Sequence, residues 1–244
     1  MSERNQFDAW ARLQYRAEKG FLGSMPISVG HFHHDDAGTL KQLTTVADTK
    51  VGLAYAASNL LCLQWDDNAA ATQKAIVDIA VPYDFRQDTG VTGERSALLL
   101  AARIRKLDGT GAAVENATLK LNVSASWHNP SITDAGVESD GDTSINTLSA
   151  AVPFTDLAAS TVLPTKAVAA SEEKFRTFIA DISSGMTTAQ LQALRPGAAM
   201  TISLAPSGAP GTDLYIEVCG ITLLYSRHLV PTASHLRARA LRSS

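Results

Sequence analysis

The feature that most constrains the fold is a strict alternation of apolar and polar side chains over residues 118–127. The apolar set is Leu119, Leu121, Val123, Ala125 and Trp127. Successive side chains of an extended strand point to opposite faces, so this pattern predicts a β-strand with one apolar and one polar face. Such strands are typical of antiparallel sheets that pack on one side, which argues against a parallel α/β fold.

Several further segments have strand character and are separated by turn residues. They are residues 59–66, 75–82, 96–106, 173–182, 200–206 and 213–226. Strand and helix patterns do not alternate along the chain, as they would in a βαβ fold. We count seven to nine strands and predict an all-β chain with an antiparallel, jelly-roll-like β-sandwich over residues 51–226.

Two further segments have patterns that differ from an alternating strand: one is apolar on both faces, and the other is typical of a helix. Residues 213–226 are largely apolar on both faces, which is typical of a central strand or of one covered by another subunit. Thr187 and Gln190 have the spacing of a capping box, which predicts a short helix. Pro196 and Gly197 should end that helix.

The first 50 residues are predicted to lie outside the sandwich. Residues 5–21 have the period of an amphipathic helix, and Gly23 follows them as a stop signal. The apolar side of this helix includes Phe7, Trp10 and Phe21. Residues 24–50 show no sustained period and are predicted to form an arm. The predicted units are a helix and arm, a sandwich and an extended tail, at residues 1–50, 51–226 and 227–244.

The C-terminal tail is basic and contains no acidic residue. Its arginines include Arg237, Arg239 and Arg242. Such a tail can bind nucleic acid, remain solvated, or hold an acidic protein surface. Residues 128–160 carry five acidic and no basic residues, so we favour contact between subunits of a homo-oligomer. A net charge of −3 argues against a dedicated nucleic-acid binder.

Other sequence features bear on the compartment of the protein. The first residues lack the apolar core of a signal peptide, so export by that route is not expected. No stretch approaches the ~20 apolar residues of a membrane span, and no membrane partner is expected. Cys62 and Cys219 lie in apolar strand segments, where we predict buried thiols rather than a disulfide or a zinc site.

Two clusters contain residue types that bind metal ions. His31, His33 and His34 precede two aspartates, and imidazole with carboxylate suits a first-row metal such as zinc. A solvated polar turn is the simpler interpretation, and metal binding by these histidines stays open. Residues 134–142 offer carboxylates to calcium but lack the spacing of an EF-hand. We predict no metal site and no cofactor.

Evidence for catalysis is weak in this sequence. The chain has no Gly-x-Ser-x-Gly elbow and no glycine-rich phosphate loop. Asp78, Asp84 and Asp88 are candidates for the paired acids of a glycoside hydrolase, but Asp78 lies within a strand pattern. We therefore predict no catalytic residues and a protein that is not an enzyme.

Three segments together resemble the jelly-roll head decoration (cement) proteins of tailed bacteriophages. They are residues 75–85, 194–206 and 213–225, with the Pro-Gly turn in the second. The resemblance implies a homotrimer on the exterior of a virion capsid, made in the host cytoplasm. It also implies that the major capsid protein is the partner and that the bound protein stiffens the shell.

Our prediction is thus a non-enzymatic virion structural protein that decorates a capsid. Six residues of the helix and tail are predicted to bind the partner: Phe7, Trp10, Phe21, Arg237, Arg239 and Arg242. The alternative is a carbohydrate-binding or tail- and fibre-associated β-sandwich. That alternative requires exposed aromatic platforms, and we expect the available aromatic residues to face mostly into the core. The candidates are Trp65, Tyr83 and Trp127.

Overall fold

The chain folds as a mostly β structure in which two antiparallel sheets pack as a sandwich, and this confirms the predicted class. The computed structural model describes residues 22–36, 39–42, 51–55, 60–66, 72–88, 96–108, 119–129, 145–156, 159–167, 175–210 and 214–227. The predicted helix at residues 5–21 lies outside the described residues, as does the predicted tail at residues 227–244 after its first residue.

Fifteen strands occur in the described residues and are divided between two sheets. The eight-stranded sheet contains β1 (Leu22–Ile27), β4 (Val51–Tyr55), β5 (Leu61–Trp65), β7 (Leu98–Asp108), β11 (Thr155–Asp156), β12 (Thr165–Ala167), β13 (Arg176–Asp181) and β15 (Leu214–Ser226). The seven-stranded sheet contains β2 (His33–Asp36), β3 (Thr39–Gln42), β6 (Ala75–Ala80), β8 (Leu121–His128), β9 (Asn146–Thr147), β10 (Val152–Pro153) and β14 (Ala199–Pro206). Strands of two to four residues are too short to show a period, which is why the sequence predicts fewer.

The order of the strands explains how the sandwich is connected. The eight-stranded sheet has the order β11-β13-β7-β15-β5-β4, with β1 also paired to β15 and β12 paired in parallel to β7. The seven-stranded sheet has the order β10-β8-β14-β6-β2-β3, with β9 paired to β8. From β5 to β8, and again from β13 to β15, successive strands alternate between the sheets. The two sheets are therefore joined repeatedly along the chain.

The core lies between the sheets and is built from the apolar face of each. Its largest fully buried apolar side chains include Phe32, Trp65, Phe85, Trp127, Phe154 and Phe178. The predicted alternation of β8 is confirmed, since Leu121, Val123, Ala125 and Trp127 are buried and the residues between them are not. Burial of a large apolar side chain stabilises the folded protein by about 1.5–3 kcal/mol. The strand is therefore oriented with its apolar face toward the core.

β15 is the predicted central strand, because it pairs with β7, β5 and β1. Its register against β7 shifts between Cys219 and Thr222, where Gly220 has a φ of 58°. This β-bulge adds one residue to β15, so Val218 and Ile221 both pack in the core cluster. The bulge shifts the core-facing positions of β15 by one residue, and this shift is part of the reason that the strand looks apolar on both faces in the sequence.

The short helix predicted from the capping box is present as α1 (Thr188–Ala193). Thr187 Oγ1 accepts a hydrogen bond from the Gln190 amide at 3.2 Å, and Gln190 Oε1 accepts one from the Thr187 amide at 2.9 Å. The Ala198 amide then donates to the Arg195 carbonyl, which closes a turn with Gly197 at a φ of 78°. Proline followed by a left-handed glycine is the requirement of a type II turn.

Part of the predicted N-terminal arm belongs to the sandwich, so the interpretation of residues 24–50 as an arm outside the core is wrong for β1, β2 and β3. β1 pairs with β15 along its whole length, and β2 pairs with β6. Between these strands, Phe32 is buried in the core. Gly23, predicted to stop a helix, lies within β1. The sheets therefore begin well before residue 51.

The acidic stretch at residues 128–160 is only partly a surface excursion. Its described portion includes β9, β10 and β11. Phe154, between β10 and β11, is fully buried in the core. The acidic residues from 134 to 142 lie outside the described residues.

Among the helices that the structure describes, none has the length and apolar character needed to cross a membrane.

Candidate interaction surface

The first and the last described strands of the chain are paired with each other. β1 runs antiparallel to β15, and the Cα atoms of Leu22 and Ser226 are directly paired. Residues 1–21 precede the first of these positions, and residues 228–244 follow shortly after the second. The two predicted partner-binding segments therefore begin from neighbouring backbone positions. We call the region formed by Leu22, Tyr83, Asp84, Ser226 and Arg227 the terminal surface.

The predicted partner-binding side chains themselves lie outside the described residues. They are Phe7, Trp10 and Phe21 before β1, and Arg237, Arg239 and Arg242 after β15. The structure brings together the points from which their two segments start. Sequence reasoning does not predict this proximity, because it depends on pairing between the first and last described strands.

The start of the C-terminal segment is held by backbone hydrogen bonds on one side of β15. The Arg86 amide donates to the Ser226 carbonyl at 2.9 Å, and the Ser226 amide donates to the Ala97 carbonyl at 2.9 Å. Ser226 Oγ also accepts a hydrogen bond from the Ala97 amide at 2.9 Å. An isolated bridge pairs Arg227 with Phe85. Ser226 and Arg227 are thus tied to neighbouring segments of the sandwich.

Tyr225 joins β1 to the turn that follows β6. Its hydroxyl donates to Asp84 Oδ1 at 2.8 Å, while its ring occupies the space that a side chain at Gly23 would fill. A Cβ atom at Gly23 would collide with that ring, so only glycine fits at this position without displacing Tyr225. Burial, helped by the hydrogen bond to Asp84 and the carboxylate's charge, raises the pKa of Tyr225 to about 12. Tyr225 therefore keeps its hydroxyl proton at a pH where an exposed tyrosine would ionise.

Tyr83 is the most exposed large side chain at this surface, with 86% of its area accessible. Its ring lies against Gly197, where an added Cβ would approach Cε1 to 2.9 Å. The expectation that the aromatic candidates face mostly into the core holds for Trp65 and Trp127 but is wrong for Tyr83. Pro82 and Tyr83 lie in the turn that begins shortly after β6, and this turn position is the sequence signal that favours exposure.

The histidine cluster is divided by the strand geometry. His31 ends a single 3₁₀ turn (Val29–His31) and is exposed, as is His33 in β2. His34, the next residue in β2, points to the opposite face and is buried. Throughout the part of the chain that the structure describes, no three His, Cys, Asp or Glu side chains are grouped as a metal ion would require.

The three candidate acids are held by different partners. Asp78 Oδ1 accepts from Thr201 Oγ1 at 2.6 Å, which joins β6 to β14. Asp84 accepts from Tyr225, as described above, and Asp88 Oδ2 accepts from the Ser96 amide at 3.4 Å. Each of these bonds has a structural explanation, since each ties a strand or turn to its neighbour.

Comparison with known proteins gives no family for the chain. No protein-family model matches it, and no curated protein matches it. Among solved structures, the chain is similar to the family 30 carbohydrate-binding module of a cellulosomal cellulase of Clostridium thermocellum. That likeness has 12% identity and a TM-score of 0.33, over 82% of this chain and 92% of the module.

A second likeness is to a structure of infectious bursal disease virus, Gt strain, with 9% identity and a TM-score of 0.23. It extends over 79% of this chain but spans only 36% of the viral chain.

Proposed function

We propose that this chain is a non-enzymatic structural protein of a virion, which decorates a capsid and binds the major capsid protein through its two terminal segments. The observation that carries the proposal is the direct pairing of Leu22 with Ser226. An aromatic, amphipathic segment and a basic segment start side by side from one end of a rigid sandwich. The sandwich then serves as a scaffold that holds both segments toward one partner surface.

The proximity of the segments has an energetic consequence. An exposed ion pair contributes only about 0–1 kcal/mol, so the arginines alone bind weakly. Burial of the aromatic side chains adds about 25 cal/mol for each Å² of apolar surface removed from water. Once one segment is bound, the second binds at a high effective concentration because both are attached to the same fixed positions. Two weak contacts thereby become one stable attachment, and this attachment is repeated for each copy of the protein on the shell.

The resemblance to phage head decoration proteins supports the remaining parts of this proposal. It supports a homotrimer placed on the exterior of the capsid and synthesised in the host cytoplasm. The outer surface of a shell offers a protein partner, so neither a membrane nor nucleic acid is part of the proposed binding.

Removal of the terminal segments tests the proposal. We expect deletion of residues 1–21 or of residues 228–244 to weaken binding to undecorated capsids by roughly tenfold or more. Deletion of both should abolish binding, while the Tm stays close to that of the full chain because β1 and β15 are retained. Cosedimentation with capsids measures the binding, and native mass spectrometry reports whether the chain is a trimer.

A charge variant provides the matched control for the tail. The variant with Arg237, Arg239 and Arg242 replaced by glutamate should weaken binding at least as much as deletion of the tail, whereas replacement by lysine keeps the charge and most of the affinity. Undiminished occupancy of capsids by the chain that lacks both terminal segments would refute the proposal.

A second candidate function, carbohydrate binding, is favoured by the exposure of Tyr83. An aromatic ring that is 86% exposed and braced against a glycine turn offers a flat apolar face beside polar groups. If this function is correct, a glycan array binds the full chain and its Tyr83→Phe variant but not Tyr83→Ala. A chain that binds no glycan on the array excludes this candidate and leaves the capsid proposal intact.

A further inference from the structure

The two cysteines of the chain lie on neighbouring strands and share one buried cluster. β15 and β5 pair through Ile216 with Trp65 and Val218 with Leu63, and Cys219 and Cys62 are the next residues on the two strands after this last pair. Both cysteines are buried thiols that are not joined by a disulfide, as the sequence predicted, and they form their own cluster with Phe175. The residues are distant in sequence, so only the pairing of these strands brings them together.

The strand geometry suits a covalent bond between these residues. Directly opposed residues of antiparallel strands have Cα atoms about 4.5–5.5 Å apart, within the roughly 4.4–6.8 Å range of disulfides. The Cys62 and Cys219 side chains pack in one buried cluster, where the Cys62 thiol donates a hydrogen bond to the Leu60 carbonyl at 3.3 Å. Closing a bond between them requires rotation of side chains and little movement of backbone.

The surroundings of Cys219 favour its thiolate. Arg103 is the residue paired with Cys219 on β7, and Arg105 lies two residues further along that strand. The hydrogen bond from Cys62 lowers the pKa of Cys219 below its ordinary value, with further help from Arg103 and Arg105, against the opposing effects of burial and Glu217. A thiolate is the nucleophilic form of cysteine, so Cys219 is the residue expected to react first.

We propose that Cys62 and Cys219 are an oxidisable pair that closes an internal disulfide between β5 and β15 when the protein meets hydrogen peroxide. The thiolate of Cys219 attacks one peroxide oxygen, the O–O bond breaks, and a sulfenic acid and hydroxide form. The Cys62 sulfur then attacks the sulfenic sulfur, the S–O bond breaks, and a second hydroxide leaves as water with the thiol proton. Two thiols and one peroxide thus give one disulfide and two waters.

The burial of the two cysteines requires the oxidant to be a small molecule. Both cysteine side chains are inaccessible to a bulky disulfide such as oxidised glutathione while the sheet is folded. Peroxide is about as small as water and reaches such sites through local fluctuations of the sheet. The proposal does not depend on the proposed function, because it concerns the sandwich alone.

Intact-mass and peptide analysis of the full chain tests this proposal. After peroxide treatment of the folded protein, we expect the loss of two hydrogens and a single linked peptide pair that contains Cys62 and Cys219, reversed by dithiothreitol. The disulfide closes a long loop, so the Tm should rise by roughly 5–15 °C. The treated protein is then unfolded and alkylated. Alkylation of both cysteines at that stage would overturn the proposal.

Single-cysteine variants separate the roles of the two thiols. Cys62→Ser should accumulate a sulfenic acid at Cys219 that dimedone traps, and Cys219→Ser should react far more slowly at Cys62. Arg103→Gln, which keeps both thiols, should slow closure of the disulfide in the otherwise unchanged chain. Equal labelling of the two single variants would contradict the assignment of Cys219 as the first thiol to react.

Discussion

Replacement of Glu217 by leucine should lower the free energy of unfolding by about 3–5 kcal/mol. Glu217 and Arg105 form an ion pair with Oε2 and Nε 2.6 Å apart, and both side chains are almost completely buried. Gln64 Nε2 donates to the other carboxylate oxygen at 3.1 Å, and the Phe175 ring lies 4.2 Å from the guanidinium carbon. Without the carboxylate, a buried cation loses the charge that compensates for its desolvation.

Urea unfolding of a set of variants measures this effect. Arg105→Met should be destabilised to a similar extent, because it leaves Glu217 buried without its cation. The double variant Arg105→Met/Glu217→Leu should recover most of the loss, since removing both charges removes the desolvation cost. Arg103→Met is the matched control on the same face of β7, where Arg103 is exposed. A Glu217→Leu variant as stable as the parent would show that the pair is solvated.

Replacement of Phe32 by alanine should cost about 3–5 kcal/mol of stability. Phe32 is 1% exposed and packs in the main core between the two sheets, although it lies in a segment whose sequence predicts an arm. Removing the ring leaves a cavity that the surrounding strands cannot fill without moving. The large loss expected here is the energetic evidence that β1 and β2 belong to the sandwich.

Tyr83→Ala is the matched control for this experiment. It removes an aromatic ring of similar size from an exposed turn, so the change in the free energy of unfolding should stay within about 0.5 kcal/mol. Both variants are compared with the parent chain by thermal and urea unfolding. A Phe32→Ala variant as stable as Tyr83→Ala would show that residues 22–36 contribute little to the core.

The elements predicted correctly are those whose signal is local. β8 shows period two over its whole length because one face is buried and the other is not. The capping box of α1 is readable because Thr187 and Gln190 satisfy each other's backbone within one turn. Neither feature requires knowledge of a distant partner.

The N-terminal strands are missed because their pattern depends on their partners. β1 contains Gly23 and Pro26, which are poor strand residues by themselves. Pro26 is tolerated because β1 pairs only with β15 among the described strands, so one of its edges needs no ladder bonds. Gly23 is required because the ring of Tyr225 lies over it. Both residues therefore suggest a loop until the pairing is known.

The sequence alone determined the class of the fold, the position of its longer strands and helix, and the chemical character of the two terminal segments. These properties follow from side-chain periodicity and composition, which act over a few residues. Only the tertiary structure decided that Leu22 meets Ser226, that Glu217 neutralises Arg105 and that Cys62 packs in one cluster with Cys219. Each of these pairs is separated by more than a hundred residues, so it depends on strand order and register, which no local pattern specifies.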